Sequence, residues 1–274
     1  HWDSWWGLQA WGPRFDGRPT VQFDGITRPY SYAGDNWKRF YQTGNTWTNT
    51  VAFTGGSNEQ NFRFSASQLK NTGVIPNSGF DRINLSLSTN SKFGKRLSFN
   101  SKILYSNEKA KNRPNLSDSP GNGILALYYI PGDVNVLDMI GDPNKPGAVP
   151  SLADQQAKGI RIGDNKPPGE EFQVSNNLWT QNPYWAAWQQ INSDTRDRVI
   201  ATGELRYDIT DFLYLSGMAG MDWYTKRTTQ LTPQGTGHNR AGSMSETERR
   251  VREINMQYML GFDKEFGNIG VNAF

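Results

Sequence analysis

Apolar and polar residues alternate with a period of two in many segments of this sequence, and this pattern limits the fold more than any other feature. Between residues 97 and 106, the odd positions are mostly apolar and the even positions are mostly polar. Successive side chains of a β-strand point to opposite faces, so each such segment predicts a strand with one apolar and one polar face. We predict seven nearly complete strands and the start of an eighth, at about 46–55, 60–69, 81–91, 96–108, 196–207, 212–226, 248–264 and 269–274.

The connections between these strands alternate in length. Short turns are predicted at 55–60, 92–96, 207–211 and 265–268, and long connections at 69–80, 107–196 and 226–248. A soluble β-sandwich also has alternating strands, but it has no reason to keep all its long connections at one end. Tight periplasmic turns and long external loops are typical of outer-membrane barrels. The sequence therefore predicts an all-β fold, an antiparallel transmembrane β-barrel segment with long extracellular loops.

Aromatic residues lie toward both ends of the predicted strands. Those near the short turns are Phe53, Phe93, Phe212, Tyr214, Phe262 and Phe266, and those toward the long connections are Trp47, Tyr105, Trp223 and Tyr224. Two such bands are expected where a barrel crosses the two membrane interfaces. The alternative explanation is that aromatic residues simply favour strands.

Composition excludes several other classes of protein. A membrane-spanning helix needs about 20 consecutive apolar residues, and no run in this sequence approaches that length. The chain has no cysteine, which excludes disulfides and thiolate metal sites. The net charge of +3 is spread along the chain, and no basic block indicates nucleic-acid binding.

Two segments, 1–45 and 107–195, lack the alternation and are expected to be irregular. We interpret 1–45 as an extracellular segment leading into the barrel, and 107–195 as a large extracellular loop of the partial barrel 46–274. A loop of about 90 residues is far longer than usual, which indicates a functional role. Within it, Ser151–Lys158 is predicted to form a short helix, with Ser151 as its N-cap and Gly159 at its C-terminal end.

Five short motifs occur in the same order as in one known family. They are Asp3–Trp5 with Trp11–Gly17, Thr43–Ser57, Phe62–Arg82, Asn182–Trp185 followed by Asp197–Arg198, and Tyr207–Leu213. In this order they resemble the barrel of the SusC-like TonB-dependent transporters, from about residue 3 to residue 225. The resemblance implies about eight strands of a larger barrel of roughly 22 strands. It also implies that this chain is a fragment that begins after the plug domain.

The resemblance implies a function as well. SusC-like proteins import large nutrients, such as oligosaccharides or peptides, across the outer membrane of Gram-negative bacteria. Their partners are a SusD-like surface lipoprotein, which caps the barrel, and TonB, which acts through the N-terminal part that this chain does not include. The expected environment is the lipid bilayer, the expected solute is a glycan or a peptide, and no catalytic activity is expected. The alternatives are a self-contained eight-stranded barrel with a structural or adhesive role, and an outer-membrane enzyme.

Two groups of residues are candidates for solute or lipoprotein contact. In the long loop, the aromatic side chains of Trp179, Tyr184, Trp185 and Trp188 are candidates to stack on sugar rings or to pack against the lipoprotein. The alternative is packing of the loop onto the barrel rim. Near the N-terminus, Arg14, Asp16 and Arg18 are candidates to line a substrate vestibule, and the alternative is a structural turn around Gly12, Pro13 and Gly17.

Evidence for a catalytic or metal site is weak. The two histidines are His1 and His238, and we expect His238 to be solvated in a flexible loop. Calcium prefers oxygen ligands, which makes Asp133, Asp138, Asp142 and Asp164 candidate ligands, but their spacing does not match an EF-hand. Solvated loop carboxylates are the favoured interpretation, and we expect no cofactor. No set of serine, histidine and aspartate can be assembled into a catalytic triad.

Overall fold

The computed structural model of the chain describes residues 12–116, 120–162, 166–174 and 181–274. A short hairpin of β1 (Pro19–Val21) and β2 (Thr27–Pro29) comes first. The main element of the described residues is an eight-stranded antiparallel sheet, in which strands adjacent in the chain are adjacent in space. Its strands are β3 (Asn45–Gly56), β4 (Gln60–Thr72), β5 (Gly79–Phe93), β6 (Leu97–Lys111), β7 (Ile191–Asp208), β8 (Leu213–Thr232), β9 (Ser243–Phe266) and β10 (Ile269–Ala273).

The strand register places most of the apolar residues of the eight strands on one face of the sheet. One row across this apolar face joins Leu85, Tyr105, Val199 and Trp223. The adjacent row, on the opposite polar face, joins Asn84, Ser106, Arg198 and Tyr224. Residues directly opposite each other in an antiparallel pair point the same way, so the alternation in the sequence becomes two chemically distinct surfaces. All eight predicted strands and their two faces are confirmed.

The strands extend further than predicted at the end that carries the long connections. The connection predicted at 69–80 is reduced to residues 73–78, and the one predicted at 226–248 is reduced to residues 233–242. The predicted strands ended where apolar alternation faded. The polar segment at the start of β9 still pairs with β8, as in Ser243 with Thr232, because main-chain hydrogen bonds do not depend on side-chain polarity. Among the described strands of the sheet, only β6 and β7 are joined by a connection of the predicted great length.

The sheet of the described residues is open. Its strand order runs from β10 to β3, so these two strands each pair with only one neighbour. A self-contained eight-stranded barrel requires the first and last strands to pair with each other. That expectation is wrong for the described residues. Separately, none of the helices in the described parts of the chain is long and apolar enough to span a membrane.

The segments predicted to be irregular form a compact unit instead, which we call the cap. It comprises the described residues of 12–44, 112–190 and 233–242. Its helices are α1 (Asn36–Phe40), α2 (Gly123–Tyr129), a 3₁₀ helix (Val136–Ile140), α3 (Leu152–Lys158) and α4 (Pro183–Trp188). Its apolar core contains Phe40, Leu127, Ile130, Val134, Val136, Met139, Val174, Tyr184 and Ala187. Proline-rich sequence hid this core because its apolar residues follow no single period.

The predicted helix α3 is confirmed, including both of its ends. The Ser151 hydroxyl accepts a hydrogen bond from the Asp154 backbone N–H at 3.2 Å, which satisfies one of the free amides of the first turn. Gly159 adopts a left-handed conformation with φ of 69°, which is the usual C-terminal stop of a helix. Local signals were sufficient for this helix because both caps lie within its own sequence.

Candidate functional site

The polar face of the sheet is lined with ion pairs near the end covered by the cap. Arg196 Nη2 lies 2.7 Å from Glu108 Oε2, and the Arg198 guanidinium binds the Asp222 carboxylate. Exposed ion pairs of this kind contribute at most about 1 kcal/mol each, so they do little to stabilise the sheet. Their effect is to make this face a charged, water-compatible wall, in contrast to the apolar face behind it.

A cavity of about 240 Å³ lies where this wall meets the cap. Asn112, Arg113 and Gln190 contribute to it from the cap side. The ends of the β8–β9 hairpin contribute Gln230 and Ser245. Carboxamide and hydroxyl groups both donate and accept hydrogen bonds, so the cavity suits a small neutral polar group. Arg113 does not offer a free charge, because its Nε already lies 2.5 Å from Asp194 Oδ2.

Beside the cavity, a buried polar cluster joins the loop between β8 and β9 to the other segments of the cap. The Glu171 carboxylate accepts hydrogen bonds from the backbone N–H groups of Asn182 and Gly237, both at 2.7 Å. The Trp185 indole donates to the Thr236 hydroxyl at 3.0 Å. We call Glu171, Gln181, Trp185, Thr236 and Gly237 the joint. All five are buried, and Gln181 connects the joint to the cavity wall by accepting from Gln190 Nε2 at 3.1 Å.

Burial changes the ionisation of the charged groups in and around the joint. Removal from water raises the pKa of the Glu171 carboxyl to about 7, although the two backbone donors partly oppose this effect by favouring the anion. Burial also lowers the pKa of His238, whose Nδ1 lies 2.7 Å from Gln181 Nε2. The pKa of Lys166 is lowered by burial too, and the nearby Glu171 carboxylate opposes that shift. The joint is therefore most sensitive to pH close to neutrality.

The aromatic candidates of the long loop are mostly inside the cap. Trp185 is fully buried, Tyr184 is buried in the apolar core, and Trp188 packs partly buried against that core. Tyr184 and Phe40 make an edge-to-face contact with ring centroids 5.4 Å apart. Tyr184 and Trp185 therefore pack inside the cap itself, which differs from the alternative of packing onto the barrel rim. Solute or lipoprotein contact by Trp188 stays a prediction, and Trp179 lies outside the described residues.

The N-terminal candidates lie on an exposed turn. Arg14, Asp16 and Arg18 are all exposed, and Arg18 Nε lies 3.5 Å from Asp16 Oδ2. The Arg18 guanidinium is also 5.8 Å from the centre of the Tyr30 ring. Gly17 has φ of 73°, a conformation that glycine adopts without strain. These features fit the structural-turn alternative, and a vestibule role for the three residues stays a prediction.

The candidate calcium ligands have other contacts. Asp138 Oδ2 lies 3.5 Å from Arg28 Nη2, and Asp142 Oδ1 accepts from the Asn144 backbone N–H at 2.8 Å. The Asp133 backbone carbonyl accepts from Gln22, and Asp164 lies outside the described residues. Across the described parts of the chain, no three histidine or acidic side chains are grouped so that they could hold a metal ion.

Sequence reasoning missed the joint. His238 was expected to be solvated, but it is half-buried and bonded to Gln181, so that expectation is wrong. Glu171 and Gly237 are 66 positions apart in the chain, and neither lies in a recognisable motif. No local signal could have identified them, because the joint exists only when two distant loops meet.

Comparison with known proteins relates the fold to solved structures. No protein-family model matches the sequence, and no curated protein sequence does. Among solved structures, the RagAB peptide importer in its 'closed-closed' state matches 85% of this chain with 15% identity and a TM-score of 0.59. Its 'open-open' state matches the same share with a TM-score of 0.57.

The matched region is only part of the importer. This chain spans about a quarter of the RagAB chain that it matches, since it covers 24% of that chain. Identity of 15% is evidence about fold rather than about substrate or partner. The chain therefore has the fold of part of the RagAB importer, as expected for a barrel segment of a TonB-dependent transporter.

Proposed function

We propose that this chain is part of a TonB-dependent transporter that imports large nutrients, oligosaccharides or peptides, across the outer membrane. The observation that carries this proposal is the reversed polarity of the sheet. Phe53, Met256 and Tyr258 are all more than 60% exposed on the apolar face. In water such a surface would cause aggregation, whereas in a bilayer it is the surface that contacts lipid.

The polar face then lines the interior of the barrel. Charged pairs such as Glu108 with Arg196 suit a hydrated lumen and would be costly against lipid. The open edges of β3 and β10 need partners, because unpaired main-chain groups cost several kcal/mol each in a bilayer. Further strands of the whole protein, outside these residues, would supply those partners and close a wide barrel.

The cap lies at the end of the strands that we assign to the outside of the cell. In the SusC-like proteins that the sequence resembles, a SusD-like lipoprotein covers this end, and we propose the same partner here. The likeness to the RagAB peptide importer supports a transporter that works together with such a partner. Peptides and oligosaccharides are the two solute classes to compare. We propose no catalytic role, because transport of this kind is driven by TonB acting on the plug.

A transport experiment tests the proposal. The bacterium that produces the full-length protein is compared with a strain that lacks its gene, and with a strain that lacks TonB. Uptake of labelled peptides and labelled oligosaccharides is measured in each. We expect one solute class to lose uptake in both mutant strains and to recover when the gene is restored. Unchanged uptake of both classes in the gene-deletion strain would contradict the proposal.

A further inference from the structure

The β8–β9 hairpin reaches well beyond the apolar band of the sheet. The continuous run of apolar residues of β9 on that face ends at Ile254, and the strand continues for about ten more residues to Ser243, with Met244 as a single further apolar residue on that face. At about 3.3 Å per residue this extension is roughly 30 Å long. It ends in residues 233–242, which we call the tip, and the tip is docked into the cap at the joint.

The tip is attached differently from the other segments of the cap. Segment 12–44 is anchored through apolar burial, since Phe40 belongs to the core cluster and Phe23 packs against it. The tip contributes no side chain to that cluster. Its largest apolar side chains are a proline and an alanine. Attachment of the tip therefore depends on hydrogen bonds, which contribute little net free energy and are sensitive to geometry.

The polar contacts of the tip are close but imperfectly matched. The Glu171 carboxylate is almost fully buried and has no salt-bridge partner among the described residues, although backbone donors satisfy its oxygens. Gln173 Nε2 is buried beside Gly237 and has no hydrogen-bond partner among the described residues. A buried donor without a partner is less stable than the same donor hydrogen-bonded to water. Undocking would return the Glu171 carboxylate and Gln173 Nε2 to water. Because this hydration stabilises the released state, the difference in free energy between the docked and released states becomes smaller.

The β8–β9 hairpin that carries the docked tip also forms one side of the cavity. Gln230 and Thr232 at the end of β8, and Ser243 and Ser245 at the start of β9, line the cavity directly beside the tip. The cap supplies the opposite wall. Movement of the hairpin away from the cap would therefore open the cavity and the polar face below it in a single step.

From these observations we propose that the tip is a releasable gate, held shut by the joint, that controls solute access to the cavity and the polar face. This inference rests on the proposed transport function for its purpose, but the docking equilibrium can be measured without transport. Glu171 acts as a positioning residue, because it holds Gly237 and Asn182 through their backbone N–H groups.

Weakening the joint tests the docking equilibrium. Thr236→Val removes the hydroxyl that accepts from Trp185 and keeps the side-chain shape, and Glu171→Gln removes one of two acceptor oxygens. Trypsin cleavage after Arg240 is followed by mass spectrometry in the full-length protein in its membrane. We expect both variants to be cleaved about tenfold faster, the change expected when a buried hydrogen bond is lost. Gln234→Ala, at an exposed tip position outside the joint, should cleave at the wild-type rate.

Locking the joint tests the gate itself. A Cβ at Gly235 would lie 3.0 Å from Glu170 Cβ, close enough for a disulfide after a small shift of the tip. The double variant Glu170→Cys with Gly235→Cys is measured oxidised and reduced, with each single variant as a control for strain at Gly235. We expect oxidation to reduce uptake at least about tenfold and reduction to restore it.

The outcomes separate the two proposals. Equal uptake by the oxidised and reduced double variant would overturn the gate, and so would wild-type cleavage rates in both joint variants. Absence of uptake in the wild-type protein would contradict the transport function but leave the cleavage result to decide whether the tip undocks. If the double variant fails to reach the membrane, the cleavage rates of Thr236→Val and Gln234→Ala show whether the joint holds the tip. Equal rates in these two variants would overturn the gate.

Discussion

The sheet and the cap treat apolar side chains in opposite ways. In the sheet, large apolar residues such as Met256 and Tyr258 are among the most exposed in the molecule. In the cap, Trp185 and Phe172 are fully buried. One chain therefore contains an exposed apolar surface of the kind that contacts lipid and, next to it, a buried apolar core of the kind found in domains surrounded by water. The difference shows that mean hydropathy cannot classify such a chain, because apolar and polar residues alternate within each strand and offset each other in the mean.

The comparison predicts that replacing a tryptophan destabilises the cap much more than it destabilises the sheet. Trp185→Ala should reduce the local unfolding free energy of the cap by about 3–5 kcal/mol, because it leaves a large cavity in a packed core. Trp223→Ala, on the apolar face, should have a much smaller effect on its strand, since that side chain is 43% exposed. Hydrogen exchange of cap and strand amides in the full-length protein measures both, and equal losses would break the comparison.

Charge should be tolerated on only one face of the sheet. Met256→Arg places a cation near the middle of the apolar band of β9 and should destabilise the protein in a bilayer by about 2–4 kcal/mol. Gln257→Arg, one residue along on the polar face, is the matched control and should cost far less. Denaturant titrations of the full-length protein in lipid vesicles measure the difference. Equal sensitivity at both positions would mean that the apolar face does not contact lipid.

The joint should respond to pH in a direction set by Glu171. Docking raises the pKa of this carboxyl from its ordinary value of 4.5 to about 7, so the docked state binds the proton more tightly. The contribution of Glu171 to docking is therefore fully present below pH 4.5 and is lost as the pH rises through 7. The pKa of His238 is lowered, so its contribution is present above pH 6.5 and is lost as the pH falls.

Hydrogen exchange at the Gly237 amide measures this response. We expect protection of this amide in the wild-type protein to fall between about pH 5 and pH 7.5. The effect of Glu171 should exceed that of His238, because Glu171 is more deeply buried and burial is the main cause of both pKa shifts. In Glu171→Gln that fall should disappear, leaving the opposite and smaller trend from His238. The pKa of Lys166, the cation facing Glu171, is lowered by burial, so Lys166→Gln, which removes this cation, is a useful control. A wild-type profile that is flat, or that rises with pH, would show that Glu171 is already ionised when docked.

The smallest predicted effect concerns a helix that depends on local contacts. Ser151→Ala removes the N-cap acceptor of α3 and should weaken that helix by about 1 kcal/mol. Gln156→Ala, at an exposed position of the same helix, should leave it unchanged or slightly more stable. Amide exchange over Leu152–Lys158 tests both, and an effect that spreads into the joint would show that the cap is more cooperative than its contacts indicate.

Much of the sheet could be predicted from the sequence because its signals are local. Period-two alternation identifies each strand and its two faces, and tight turns such as residues 94–96 fix which strands are neighbours. The exact ends of strands were harder to predict. The polar start of β9 pairs with β8 through main-chain bonds that side-chain pattern does not report.

The sequence alone determined that this protein is a sheet with one apolar and one polar face, and it determined the capped helix α3. Only the tertiary structure decided that the long connection folds into a cap, that Tyr184 and Trp185 are buried in it, and that Glu171 meets Gly237 across 66 positions. The physical reason is the range of the interactions. Strand faces and helix caps depend on residues a few positions apart, whereas burial and pKa depend on whichever distant groups the completed fold brings into contact.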